Sequence, residues 1–321
     1  MAKKKVVGWS FGRNMSNTDV IIKEALLVCE AAGFDIEFIN VSTMNIKPCI
    51  GCCRCVGQLA SETGSGACFQ KDDFPILQES FLSADAMIFG SPVFEFAPTG
   101  LYKTVADRFG PSHDITFVGP AIEAGKKAGR DPSTYPDERS LKPRVGALVA
   151  VGGARTKNWT SLALPNMYEL AFPMAIDIVD KLLYHGAMNV EHVLGVPEVM
   201  EKARKLGENI VAALNAETEE ERRKYRGTEE GTCPVCHEDL LQVMHDGNKV
   251  ECPVCGIEGT LDIVDGEIKV TFSEAQIKRS RLNMDGKWEH SNEIRDGAMT
   301  QKKVENLAEL KKPYKDVGKK N

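Results

Sequence analysis

The sequence predicts an α/β fold: a doubly wound sheet of five parallel strands, followed by a small four-cysteine metal ribbon. Three observations carry this. Strand-like and helix-like segments alternate through the first two-thirds of the 321 residues. The run Arg144–Val151 is almost continuously apolar, as befits a strand covered on both faces. Two C-x2-C pairs lie fifteen residues apart near the C-terminal end.

Each element can be justified in order. Lys5–Trp9 is a short apolar strand run, and Asn17–Ala32 an amphipathic helix ending at Gly33, a suitable left-handed terminator. Asp35–Val41 reads as the second strand, Phe74–Ser83 as a helix and Ala86–Gly90 as a buried strand. Thr99–Phe109 is helical, Arg144–Val151 is the fourth strand, and Trp159–Phe172 is the next helix. Met188–Val196 is expected as the fifth strand and Glu198–Leu214 as the final helix. The segment 110–143 is rich in Gly, Pro and charge with little periodicity, and is expected as a long loop insert. The expected organisation is therefore an α/β domain over 1–217 and a linker over 218–231. A metal ribbon over 232–272 and a charged, partly helical tail over 273–321 follow.

Bulk composition narrows the function. With 42% apolar and 27% charged residues the chain is globular, and its net charge of −6 argues against nucleic acid as partner. No stretch of about 18 apolar residues occurs, so no membrane span is expected. The basic start is followed by Val6–Trp9, too short for a signal core, so a cytoplasmic address is expected.

Ligands in such folds bind at the carboxyl ends of the strands, which singles out the loops after Trp9, Gly90 and Val151. The first holds Ser10, Arg13, Asn14, Ser16, Asn17 and Thr18 and opens a helix. Hydroxyls, amides and the helix dipole converge there on a phosphate, unless Ser16 or Asn17 merely caps the helix. The second reads Ser91-Pro92-Val93-Phe94-Glu95-Phe96, and the third holds Gly152, Gly153 and Arg155.

At these loops the chain resembles the NAD(P)H-dependent FMN reductases and iron–sulfur flavoproteins of flavodoxin fold. The second loop matches that family's "GSPVY" segment, and Asp107-Arg108 its helix-ending "DR". The first loop matches loosely through Ser10, Arg13, Asn17 and Thr18, and Gly152-Gly153 matches the segment after the fourth strand. The resemblance covers about 5–215. It implies a flavodoxin-like sheet and FMN, with the phosphate on the first loop and the ring against the second and third. Two departures stand out: Trp9 replaces a small residue, and the 110–143 insert is unusually long. No acid–base side chain is secured by the pattern. Glu95, Arg155 and His113 are the candidates for touching substrate or flavin.

Nine of the ten cysteines fall in two groups. Cys49, Cys52 and Cys55 are spaced C-x2-C-x2-C, and Cys68 is a possible fourth thiolate, so a [4Fe–4S] cluster is one reading. Reduced thiols lining a subunit contact or the flavin mouth are the other. The resemblance carries Cys49, Cys52 and Cys55 over directly, whereas the gap to Cys68 is long and Cys53 is extra. Cys233, Cys236, Cys252 and Cys255 form two knuckles of a tetrahedral site for Zn2+. Iron is the alternative, since Cys252–Gly256 resembles a rubredoxin knuckle; His237 stands where rubredoxins have Gly in the other.

The leading expectation is an FMN-dependent oxidoreductase, moving electrons from NAD(P)H to a small acceptor such as a quinone, a free flavin or another electron-poor compound. An iron–sulfur electron carrier between protein partners and a zinc-ribbon binding module are the alternatives. A homo-oligomer is expected from the resemblance alone.

Overall fold

The computed structural model describes residues 3–228 and 231–318. In chain order it runs β1 (Lys5–Ser10), α1 (Asn17–Ala31), β2 (Asp35–Asn40), α2 (Arg54–Ala60), α3 (Phe74–Ser83), β3 (Ala86–Phe94), β4 (Ala97–Pro98), α4 (Gly100–His113), α5 (Ile115–Lys127), β5 (Arg144–Val151), α6 (Ala163–Ala171), β6 (Ile176–Tyr184) and α7 (Pro197–Leu214). There follow α8 (Glu219–Arg223), β7 (Gln242–Val243), β8 (Lys249–Cys252), β9 (Ile257–Val264), β10 (Glu267–Phe272), α9 (Glu274–Lys278), α10 (Met284–Thr300) and α11 (Leu307–Lys311).

The main sheet has the order β2-β1-β3-β5-β6, all parallel, with the short β4 folded back antiparallel on β3. Strand order reverses between β1 and β3, which makes the loops at their carboxyl ends the expected ligand site. Every residue of β5 is buried, in keeping with its apolar run at the sheet centre. One face packs on α1 and α7 through Ile22, Leu26, Leu206 and Ile210. The other packs on α3, α4 and α6 through Phe81, Phe109 and Met167.

The fifth strand is Ile176–Tyr184, not Met188–Val196, which forms turns and one short 3-10 segment. The cause is polar. Asp177 pairs with Arg222 and Arg223, Asp180 accepts from Asn209, and Lys181 reaches the ribbon. An edge strand whose side chains serve later segments does not read as a buried one. The 110–143 segment is likewise mostly ordered helix rather than loop. Helix α4 runs through Pro111, and α5 follows after Asp114, whose carboxylate accepts from the Thr116 amide. Phe117, Val118, Ala121 and Ile122 of α5 form a satellite core with Leu59 and Tyr135. Pro111 and Pro120, both inside helices, and Gly110 give the segment a loop-like composition.

The ribbon is an antiparallel sheet, β10-β9-β8-β7. Its β9–β10 hairpin turns at Asp265-Gly266, both with positive φ, as a two-residue turn requires. The expected turn at Asp246–Asn248 joins β7 to β8. Among the described residues no helix is long and apolar enough to cross a membrane.

Candidate functional site

The first loop is built on a buried polar knot. Ser10 donates to Asp19, and Asn40 donates to both Asp19 carboxylate oxygens and to the Gly12 carbonyl. The second Asp19 oxygen accepts from the Met15 amide at 2.8 Å. Ser10 therefore shapes the loop from beneath and is fully buried. Gly12 is required by space: a Cβ there would lie 2.6 Å from Ser16 Oγ. Ser16 precedes α1 and makes no side-chain cap bond, so simple capping does not account for it. Its Oγ is buried and has no hydrogen-bond partner among the described residues. Asn17 accepts from the Val193 amide, Thr18 is buried, and Arg13 and Asn14 lie exposed on the loop.

The second loop is a hairpin. Val93 pairs with Pro98 and Phe94 with Ala97, leaving Glu95 and Phe96 as the two turn residues. Ser91 Oγ is fixed between the Pro92 carbonyl, to which it donates, and the Thr99 amide. Val93 is half-buried, while Phe94 and Phe96 are exposed.

In the third loop Gly152 meets Thr160 and Gly153 meets Met188, with added Cβ atoms falling 2.3 and 2.7 Å from those side chains. Arg155 donates through Nε to Asn189 at 2.7 Å. The three loops lie together at the carboxyl edge of β1, β3 and β5. His113 does not join them. It lies at the far end of α4, about 20 Å along the helix from its start. It is buried against Phe74, Phe81 and Phe109, and burial pushes its pKa down to about 4.

The loop 48–70 is closed at its base. The Lys47 amide donates to Asp72, the Asn45 amide to Asp73, and Gln70 to the Pro48 carbonyl. Arg108, from the DR pair, is buried beneath it and donates to both Asp72 oxygens and to the Lys47 carbonyl. Cys49, Cys52, Cys53, Cys55 and Cys68 all line one cavity of about 410 Å3, together with Arg108, Phe117 and Ile294. Burial pushes the Cys55 thiol up, and the neighbouring Cys68 and Cys49 add to it. The DR pair marks Arg108 in the sequence, but its role beneath this loop is revealed only by its buried pairing.

The ribbon cysteines differ sharply. Cys233, Cys236, Cys252 and Cys255 are buried, and their Sγ atoms lie within 4.8 Å of one another. Two pairs, Cys233–Cys255 and Cys236–Cys252, stand 3.7 and 3.5 Å apart. A tetrahedron with metal–sulfur bonds of about 2.3 Å has edges of about 3.8 Å, so the set fits one metal ion. His237 takes φ +57 and Gly256 φ +65, so His adopts the left-handed position usual for glycine. The ribbon is docked on the α/β domain. Tyr168 donates to the Cys236 carbonyl at 2.7 Å. Lys181 donates to the His237 carbonyl and pairs with Glu238, each at 2.6 Å. Lys157, in the third loop, pairs with Asp239 at 3.0 Å.

Comparison with known proteins completes the picture. The NADPH-dependent FMN reductase family model matches residues 10–176. A flavone synthase of Aspergillus candidus is 31% identical over 77% of this chain and 74% of its own. An iron–sulfur flavoprotein of Methanocaldococcus jannaschii is 26% identical over 65% of this chain and 97% of its own. A solved flavone reductase superposes with a TM-score of 0.80 at 26% identity, covering 99% of both chains. The chain belongs to the NADPH-dependent FMN reductase family and is an FMN-dependent oxidoreductase that draws electrons from NAD(P)H.

Proposed function

We propose that the FMN phosphate is held by the first loop, through Ser16 and its neighbours Arg13, Asn14, Asn17 and Thr18, and that the flavin ring rests against Pro92–Phe96 and Gly152-Gly153. The observation that carries this is the Ser16 hydroxyl, buried and without a partner among the described residues, at the start of a 15-residue helix beside the β1/β3 switch point. A phosphate oxygen supplies the acceptor that this hydroxyl lacks. FMN held there would supply two-electron redox chemistry between NAD(P)H and a small electron-poor acceptor, with one proton drawn from solvent for each hydride equivalent. The name of the solved neighbour, a flavone reductase, extends the proposed acceptors to flavone-like compounds. Glu95 and Arg155, on the second and third loops, are the proposed side chains for contact with acceptor or flavin.

The ribbon is proposed to hold zinc. Support comes from its closed, fully buried thiolate set and from a fold with little core of its own. A [4Fe–4S] cluster on Cys49, Cys52, Cys55 and Cys68 is the second proposal, supported by their convergence on one cavity and by the archaeal relative's name. A four-iron cube holds its thiolates farther apart than a single ion does, so such a set need not close as tightly as the ribbon's. Such a cluster would serve a redox protein partner. Homo-oligomerisation is part of the proposal; light scattering should give a multiple of one chain's mass.

The test is anaerobic purification with flavin, zinc, iron and sulfide analysis, followed by NAD(P)H titration. About one FMN and one zinc per chain, with flavin bleached by NAD(P)H, is expected. Four iron and four sulfide would add the cluster; none would remove it. Ser16→Ala should weaken FMN binding about tenfold or more, the value of a hydrogen bond to a charged group. Unchanged FMN affinity in that variant would overturn the phosphate assignment.

A further inference from the structure

Phe96 and Trp159 are 40% and 55% exposed, yet their rings stack at 5.6 Å between centroids and 17° between planes. They arrive from different loops. Phe96 sits at the tip of the β3–β4 hairpin, and Trp159 follows β5, the strand beside β3. The stack thus bridges the second and third loops at the carboxyl edge of the sheet.

The hairpin tip is unusual. It is a two-residue turn with φ +47 at Glu95 and +73 at Phe96. Turns with positive φ at both central residues favour Asn-Gly, because left-handed backbone strains residues with a Cβ. Glu-Phe is among the poorer choices for stability. Sites that break a local rule in this way tend to be functional. Here the strained backbone is what presents the Phe96 ring to Trp159. The Trp159 segment is secured from below by Thr160, which bonds the Lys157 carbonyl and lies 3.3 Å from His185 Nδ1. A fixed base and a half-exposed flat face describe a stacking platform, since offset-stacked aromatic faces attract one another.

We propose that the Phe96–Trp159 stack is the acceptor platform, and that Trp159 is the residue selecting a planar, multi-ring aromatic ketone over small non-aromatic acceptors. The proposal rests on the reading of the chain as an NAD(P)H-driven flavin oxidoreductase and names the acceptor class of that same site. Trp159 acts by binding and orienting a flat face; it exchanges no proton or electron. Its indole offers the broadest π-surface of any side chain, so Phe should serve partly and Ala poorly.

The experiment uses the full-length, FMN-loaded chain as wild type, Trp159→Phe and Trp159→Ala. Binding of 2-phenylchromone is measured first without turnover, through the spectral perturbation of oxidised flavin, and then by steady-state kinetics with NAD(P)H. Ferricyanide reduction by the wild type is measured alongside. The expected result is a Kd and KM for 2-phenylchromone raised about tenfold in Trp159→Ala, within about threefold of wild type in Trp159→Phe, with kcat little changed. FMN content should stay at the wild-type level. A chromone Kd unchanged in Trp159→Ala overturns the proposal. So does loss of FMN in that variant with normal content in Trp159→Phe, which would make Trp159 a flavin residue. A shift in oligomer mass instead of in Kd would make the stack a subunit contact, and also overturns it. If the wild type binds chromone but NAD(P)H does not bleach its flavin and ferricyanide is not reduced, the oxidoreductase reading fails while the platform stands.

Discussion

The two cysteine groups carry similar knuckle spacings and live in opposite surroundings. The ribbon thiols are buried, gathered within 4.8 Å of one another, and merged with the core that holds Met167 and Tyr168. The Cys49–Cys68 thiols are exposed or half-exposed around a cavity, on a loop tied at its base and packed through Leu59 against α5. Spacing therefore tells that sulfurs can converge, whereas burial tells what their convergence is for. A closed, buried set contributes its ligand energy to folding. An open set on a closed loop contributes little to folding and is available for exchange or electron transfer. If this contrast is right, damage to the two groups should differ greatly in kind.

The largest effect is expected at the ribbon. Structural zinc sites supply about 10–16 kcal/mol in small peptides, which is comparable with the whole stability of a domain. Cys252→Ser should lose the metal and lower the melting temperature by roughly 10 °C or more. It should also expose Tyr168, whose hydroxyl bonds the Cys236 carbonyl. Calorimetry with metal analysis measures this. A variant that loses its metal and melts as the wild type does would show that the ribbon is an ornament on the sheet.

The docking surface comes next. Lys181 and Glu238 form a buried ion pair, with side chains 4% and 11% exposed. Removing one partner of such a pair costs about 3–5 kcal/mol, because the other charge stays buried alone. Lys181→Met should show that loss by chemical denaturation at neutral pH. Burial already raises the Glu238 pKa in the presence of Lys181. A carboxyl with a raised folded pKa stabilises at low pH and loses that contribution as pH rises through it. The variant should therefore recover stability as pH is lowered from neutral through the raised Glu238 pKa. A flat pH dependence would mean that Glu238 moves out to solvent.

Much of this was readable from the sequence, for reasons that differ by element. The apolar run of β5 and the two ribbon knuckles are local patterns, and the structure keeps both. Strand β6 was missed because Asp177, Asp180 and Lys181 face segments that follow it in the chain. Helix α5 was missed because Gly110, Pro111 and Pro120 imitate a loop. The Phe96–Trp159 stack has no local signature at all. It joins residues sixty-three apart through a turn whose sequence, Glu-Phe, is not one that turns prefer. His113 looked available for chemistry, but a lone histidine in a helix reveals its burial only when the helix is placed.

That histidine offers a pH handle beneath the first cysteine loop. It lines a cavity of about 480 Å3 with Ser65, Gly66 and Ala67 of that loop. Its pKa lies at about 4 when folded, against an ordinary value of 6.5. A depressed folded pKa means that protons favour the unfolded chain. The stability that neutral His113 contributes is fully present above pH 6.5 and is lost as pH falls towards 4, about 3 kcal/mol in all. His113→Gln should flatten the melting profile across that interval while flavin bleaching by NAD(P)H stays at the wild-type rate. A slowed bleaching rate would restore His113 to the catalytic site.

The smallest stability change is expected in the first group itself, where it sharpens the contrast most. Cys52 is exposed and lies on a loop whose anchors, Asp72, Asp73 and Arg108, do not depend on it. Cys52→Ser swaps sulfur for oxygen at a surface position, a change worth within about 0.5 kcal/mol for folding. Iron and sulfide, if a cluster is carried, should fall sharply because serine is a poor ligand for it. Flavin content and melting temperature should hold. Iron lost together with a large fall in melting temperature would mean that the open loop is built around its cluster as the ribbon is built around its metal, and the two groups would then be alike in function as well as spacing.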